Sequence, residues 1–403
     1  MDTRGFVDRI FRMKAKTIIY AVSMLFAVSL LADIKPQLSF DIKSSHGYKF
    51  QDFPPTNKPL IVSKSGIWTV KLEYKDEQTP PKVALFRVSP DMNKSEKFYP
   101  AAATYKHSSA DNLCELSDGN IAFTVTTENS THIHIFNPLD KSVKSIDIKE
   151  SNRVCKLRSL SGGRFMLSVG GSKTYVKIFA ENGTLLRTQT FNLTDAEAKK
   201  FTNGYYISDI AELENGNIAV SLNAVYLPPR IRDKEGAWTA KILSSLISCK
   251  ICELDADLNL VKESGWFDNS NIGIVSFKSS IVSAMSAREM LSRNLKISAV
   301  KLSEGFSKSE IFESAEIGKG SFLNAAFAKL GDAYYLYLPT LLDKSAVYSW
   351  NAEGKLAALK IEKPQELIPY GCGFFGNSLY LAVFDCNSRD KNEIKILKFR
   401  LRD

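Results

Sequence analysis

Histidine is scarce in this 403-residue chain: His46, His107, His132 and His134 are the full set. That leaves few positions for an imidazole general base. No Gly-x-Ser-x-Gly occurs, so the nucleophile elbow of many hydrolases is excluded. The glycine-rich Ser161-Gly162-Gly163 and Gly170-Gly171-Ser172 flank a strand-like segment rather than opening a helix, and so form no phosphate or dinucleotide cradle. Glycine (22) and proline (14) are too few for collagen or a low-complexity chain. Six cysteines are far too sparse to build a disulfide scaffold. Lysine and arginine outnumber aspartate and glutamate by 53 to 44, for a net charge of +9, yet no run of five or six basic residues occurs. A nucleic-acid partner is therefore not expected.

Long apolar runs are also missing, with one exception. Thr17 to Ala32 reads TIIYAVSMLFAVSLLA, sixteen residues without a charge, after a basic segment ending Arg12-Met13-Lys14-Ala15-Lys16. This is the order of a secretory signal. As a helix it spans about 24 Å, short of the roughly 30 Å hydrocarbon core. Residues 1–32 are expected to be a signal peptide, cleaved after Ser29 or Ala32, with an uncleaved signal anchor as the alternative. Export to the periplasm or the cell exterior follows. In that compartment Cys114, Cys155, Cys249, Cys252, Cys372 and Cys386 are expected as buried thiols or structural bridges. Cys249-Lys-Ile-Cys252 lies in an alternating segment, and positions i and i+3 of a strand face opposite ways. It therefore suits neither a redox pair nor a metal clamp.

What fills the remainder is a repeat. A turn followed by a short apolar strand recurs at Gly66, Gly119, Gly163, Gly216, Ser279, Gly331 and Gly376, at intervals of 53, 44, 53, 63, 52 and 45 residues. Such periods suit four-stranded propeller blades. One unit reads as four strands: CKLRSL (155–160), RFMLSVG (164–170), TYVKIFA (174–180) and LLRTQTF (185–191). Another repeats the order over residues 112–148. The last unit offers three strands before the chain stops, while QLSFDIK (37–43) is a spare strand near the start. Supplying the missing strand from there closes a ring without a free edge. Residues 37–403 are thus expected to form one all-β domain, a seven-bladed β-propeller, with six or eight blades and a pair of β-sandwiches as the rival solutions. Helical spacing is confined to Asp195–Phe201, with Thr194 as cap, and Ser286–Asn294.

The recurring L-x-(D/N)-G-N-I-A, as in Leu116–Ala122 and Leu213–Ala219, followed by an I-x-I-F-x strand resembles the loose repeats of exported TolB-like and NHL-like bacterial propellers. The resemblance covers residues 37–403 and is of superfamily rank. It implies a binding scaffold and only sometimes an enzyme. The chain lacks the Trp-Asp, Tyr-Trp-Thr-Asp and Ser-x-Asp-x-Gly-x-Thr-Trp motifs of other propeller families. Its four tryptophans do not supply the regular tryptophan motif of quinoproteins.

Candidate chemistry is thin. His132-Ile133-His134 places two imidazoles on one strand face, a spacing able to hold a metal, but exposed alternation around Ile133 and Ile135 explains the same pattern. Asp111, Glu115, Asp209 and Glu212 lie near inner strands, where a lyase or lactonase would assemble its carboxylates. No metal and no cofactor is implied. The most informative irregularity is an insertion at about 224–246, AVYLPPRIRDKEGAWTAKILSSL, longer than compact domains normally allow without a function. Its Tyr226, Arg230, Arg232, Lys234 and Trp238 are residue types that carry interface energy. The connection Ala287-Arg288-Glu289 through Arg293 adds basic charge beside it. A docking surface for a protein or an anionic glycan is the leading expectation. A propeller hydrolase or lyase acting on a carbohydrate or lactone, and a membrane-anchored structural component of an envelope assembly, are the alternatives.

Overall fold

Alternating apolar and polar residues between short turns dictate strands, and strands dominate the computed structural model. It describes residues 35–44, 49–50, 59–76, 79–102, 109–126, 130–148, 153–170, 173–226, 230–232, 238–240, 247–277, 280–288, 295–303, 306, 309–317, 325–338, 346–361, 367–385 and 393–401. Seven antiparallel sheets succeed one another along the chain. Their inner strands are Leu60–Ser63, Ser109–Glu115, Arg153–Leu160, Phe201–Glu212, Ser270–Phe277, Ala326–Leu330 and Leu367–Phe375. Each inner strand packs against the next, and the seventh packs against the first. The chain is an all-β, seven-bladed β-propeller. In the seventh blade, Leu38–Lys43 pairs with Glu393–Arg400 in a register running from Leu38↔Lys398 to Lys43↔Glu393. The predicted signal segment lies outside the described residues.

Five of the repeat markers (Gly119, Gly163, Gly216, Gly331 and Gly376) fall between the first and second strands of a blade, Gly66 opens the second strand of the first blade, and Ser279 lies outside the described residues. The turn chemistry explains why. In the second blade the Leu116 carbonyl accepts from the Gly119 amide at 3.0 Å, and Asp118 Oδ1 accepts from the Asn120 amide at 2.9 Å. The fourth blade repeats both bonds at Leu213–Gly216 and Asn215–Asn217, each at 3.0 Å. The glycine takes φ of 84° in one turn and 81° in the other, a conformation that a Cβ disfavours.

The apolar core is divided into seven clusters, each shared by neighbouring blades. Met166, Val176 and Ile178 of the third blade meet Ile210, Val220 and Leu222 of the fourth, and Ala219 and Ile251 on the fourth blade's other face meet Ile274 and Met285 of the fifth. Every blade is therefore buried on both faces, and its stability depends on its neighbours, as in repeat architectures generally. Cys252 belongs to the first of these clusters and Cys249 to the second, on opposite faces of the strand Ile247–Leu254. Both are buried thiols, as are the side chains of Cys114 and Cys372. Cys386 and the side chain of Cys155 lie outside the described residues.

Two local expectations are corrected. Ser286–Arg288 is not helical but ends the strand Ser280–Arg288, where Ser286 pairs with Ile297. Tertiary pairing overrides a helical spacing that no packed face supports. The insertion also begins later than expected. The second strand of the fourth blade runs Ile218–Tyr226, and Tyr226 pairs with Phe201. The helix at Asp195–Ala198 is present, with Thr194 and Glu197 forming a capping box.

Candidate functional site

Five inner strands carry a bulge of one extra residue, at Val154/Lys156, Asp111/Cys114, Ile207/Asp209, Asn271/Gly273 and Pro369/Gly371, and the fourth blade's inner strand has a further shift at Thr202/Tyr205. Bulges of this kind bend a strand and re-aim its side chains. In four consecutive blades, the second to the fifth, the bulge stands beside a small residue of the second strand: Thr124, Ser168, Ser221 or Ala284. The result is a polar belt on that side of the propeller.

Two of the four candidate carboxylates lie in this belt. Asp111 is buried and accepts from Thr124 Oγ1 at 2.7 Å and Asn112 Nδ2 at 2.9 Å. Burial pushes its carboxyl up to about 7, against the opposing effect of those two bonds. Asn112 holds a φ of 54°, and its Oδ1 is buried without a partner, as are Ser168 Oγ and Ser221 Oγ in the next two blades. Asp209 is an interblade tie: Arg158 of the third blade binds Oδ1, and the Ile274 amide of the fifth donates to Oδ2 at 3.1 Å. A Cβ on Gly273 would sit 2.9 Å from Phe327 Cβ and 3.4 Å from Asp209 Oδ2, so the absence of a side chain there lets three blades converge.

The other two carboxylates end inner strands. Glu212 accepts from the Ser161 amide at 2.7 Å and from Ser161 Oγ at 2.6 Å, clamping the turn of the preceding blade. Glu115 is four residues before its marker glycine, as Glu212 is, but it lines a cavity at the turn end of the inner strands.

The insertion emerges from the opposite end of the blades. It forms its own two-stranded ladder, Arg230–Arg232 against Trp238–Ala240, with Arg232 opposite Trp238 and Arg230 opposite Ala240. Three of the five predicted docking residues thus share one short hairpin, while Tyr226 ends the strand leading to it. Lys234 lies outside the described residues, as do Glu289 to Arg293 of the neighbouring connection.

Beside the base of the insertion stands a cluster that sequence reasoning missed. Lys250 is buried and binds Glu197 Oε1 and Glu263 Oε2, each at 3.0 Å. Tyr205 donates to Glu197 Oε2 at 2.6 Å and Trp266 Nε1 donates to Oε1 at 3.3 Å. Burial opposes ionisation of Glu197, yet the bonds from Tyr205, Thr194 and Lys250 hold it down to about 2. The capping box at Thr194 was its one legible trace. The group joins the connection between the third and fourth blades to the strand that follows the insertion.

The histidine pair is tied into its own blade. His132 Nδ1 lies 2.6 Å from Asp147 and Nε2 lies 2.9 Å from Ser130 Oγ, while His134 Nδ1 lies 2.9 Å from Ser145 Oγ. Burial, then the neighbouring His132, pushes His134 down to about 4. Ile133 and Ile135 pack in the core on the opposite face.

No family model and no curated protein matches the sequence. Among solved structures the chain is similar to the polysaccharide lyase Uly1, at 13% identity and a TM-score of 0.54, over 92% of this chain and all of that one. It is also similar to the β-propeller domain of the trilobed protease from Pyrococcus furiosus, at 14% identity and a TM-score of 0.49, over 88% of this chain and 96% of that one. The Dos1 propeller matches at 10% identity and a TM-score of 0.47, over 91% of this chain and 82% of that one. At such identities the likeness concerns the propeller fold alone.

Proposed function

We propose that the chain is an exported propeller of the TolB-like or NHL-like type that serves as a binding scaffold. It captures a protein or an anionic glycan through the insertion of its fourth blade, with Tyr226, Arg230, Arg232, Lys234 and Trp238 as contacts. Residues 1–32 direct export, and the pairing of Leu38–Lys43 with Glu393–Arg400 clasps the two ends of the ring. The observation that carries this reading is the separate Arg230–Arg232/Trp238–Ala240 ladder, an added structure that the blade's own four-stranded sheet does not need. The Glu197–Lys250–Glu263 group supports it by giving the insertion a rigid base. The hydrolase or lyase alternative has less support, because Asp209 and Glu212 already serve as ties between blades.

The test replaces residues 228–245 with a short Gly-Ser linker in the full-length chain, followed by crosslinking in the native host and mass spectrometry. Loss of the crosslinked partner with an unchanged circular dichroism spectrum is expected. An unaltered set of crosslinks would sink the assignment. The same spectra report whether the mature protein begins near residue 30, as export with cleavage requires.

A further inference from the structure

The cavity at the turn end of the inner strands is broadly open to solvent, with Lys64 exposed at its rim; it has a volume of about 460 Å³ and is lined by residues of four consecutive blades, from the seventh to the third. That size is within the range of small-molecule sites. It lies at the far end from the insertion. The strand Ile218–Tyr226 runs from a marker turn to the insertion, and at about 3.4 Å per residue it separates the two ends by roughly 27 Å.

Comparison within the repeat shows what is unusual here. Four residues before the marker glycine stand Val62, Glu115, Ser159 and Glu212 in the first four blades. In the fourth blade, Glu212 is satisfied by Ser161, which lies two residues before the marker of the preceding blade. In the second blade, Glu115 meets a different preceding turn, because Lys64 occupies the place equivalent to Ser161. Among the described residues, the side chains of Glu115 and Lys64 make no hydrogen bond or ion pair. The cavity therefore carries one unpaired charge of each sign. Ser63 and Ser159 add hydroxyls, and Val62 and Phe375 add apolar surface.

We propose that this cavity is a second binding site, for a small zwitterion with an apolar side chain, namely a free apolar α-amino acid. Glu115 receives the ammonium, Lys64 receives the carboxylate, and Phe375 and Val62 cover the side chain. The site is independent of the insertion, so it stands or falls separately from the docking function.

L-phenylalanine is the probe, measured against the full-length protein by saturation-transfer NMR and calorimetry. Saturable binding is expected, with affinity reduced about tenfold or more in Glu115→Gln and in Lys64→Met, the loss typical of one charge-assisted contact. Phenylalanine amide and N-acetylphenylalanine, each lacking one charge, are expected to bind about tenfold more weakly than phenylalanine itself. Thermal unfolding of both variants should match the parent, which separates lost binding from lost fold. No saturable binding of phenylalanine would overturn the proposal. So would equal binding of the blocked derivatives, or affinity unchanged in Glu115→Gln.

Discussion

Replacing Asp111 by asparagine should stabilise the propeller above about pH 4, by an amount that grows until about pH 7. Asp111 is buried, and burial raises its carboxyl from 3.8 to about 7. Between those values the folded chain holds a proton that the unfolded chain releases, so stability falls as pH rises through that window. At about 1.4 kcal/mol per pH unit, the difference between pH 4 and pH 8 amounts to at most about 4 kcal/mol. The side-chain amide of Asp111→Asn would keep an acceptor oxygen for Thr124 Oγ1 and Asn112 Nδ2, which now bond Asp111 at 2.7 and 2.9 Å, without the charge. Urea denaturation followed by tryptophan fluorescence at the two pH values measures the effect. The parent midpoint should drop between pH 4 and pH 8, while that of Asp111→Asn should drop less. The two proteins should be close at pH 4, and the variant clearly more stable at pH 8. Equal midpoints at pH 8, or an equal gain at both values, would refute the argument that burial keeps this carboxyl protonated.

Gly273→Ala should destabilise by about 1–3 kcal/mol, because the new methyl would sit 2.9 Å from Phe327 Cβ in the next blade; denaturant midpoints check this. Cys249 and Cys252, both buried and pushed up by burial to about 12, should resist a thiol reagent at pH 8 and react once urea unfolds the chain. Labelling of either in the native protein, read by peptide mass spectrometry, would contradict their placement in two separate core clusters.

Much of the architecture was legible because it rests on short-range chemistry. The turn at Leu116–Asn120 holds its bonds within five residues, and alternation along Arg164–Gly170 or Thr174–Ala180 follows from the pleat. Alternation likewise places Cys249 and Cys252 on opposite faces. The expected helical spacing from Ser286 failed over Ser286–Arg288 because spacing alone does not reveal that Ser286 will pair with Ile297. The insertion was visible as an excess of residues between two strands, although its internal hairpin was not.

The sequence by itself determined the seven turn-marked units, the strands within them and the position of the insertion, since each depends on residues a few places apart. Only the tertiary structure decided which charges are spent and which are left over. Glu212 is satisfied by a serine 51 residues upstream, and Asp209 by Arg158, 51 residues before it, and by an amide 65 residues after it. Glu197 finds Lys250 at a separation of 53 residues. Glu115 has the same place in its blade as Glu212, yet it faces a cavity beside Lys64. Pairing between blades depends on what the neighbouring blade presents at the same height, and nothing local to either residue specifies it.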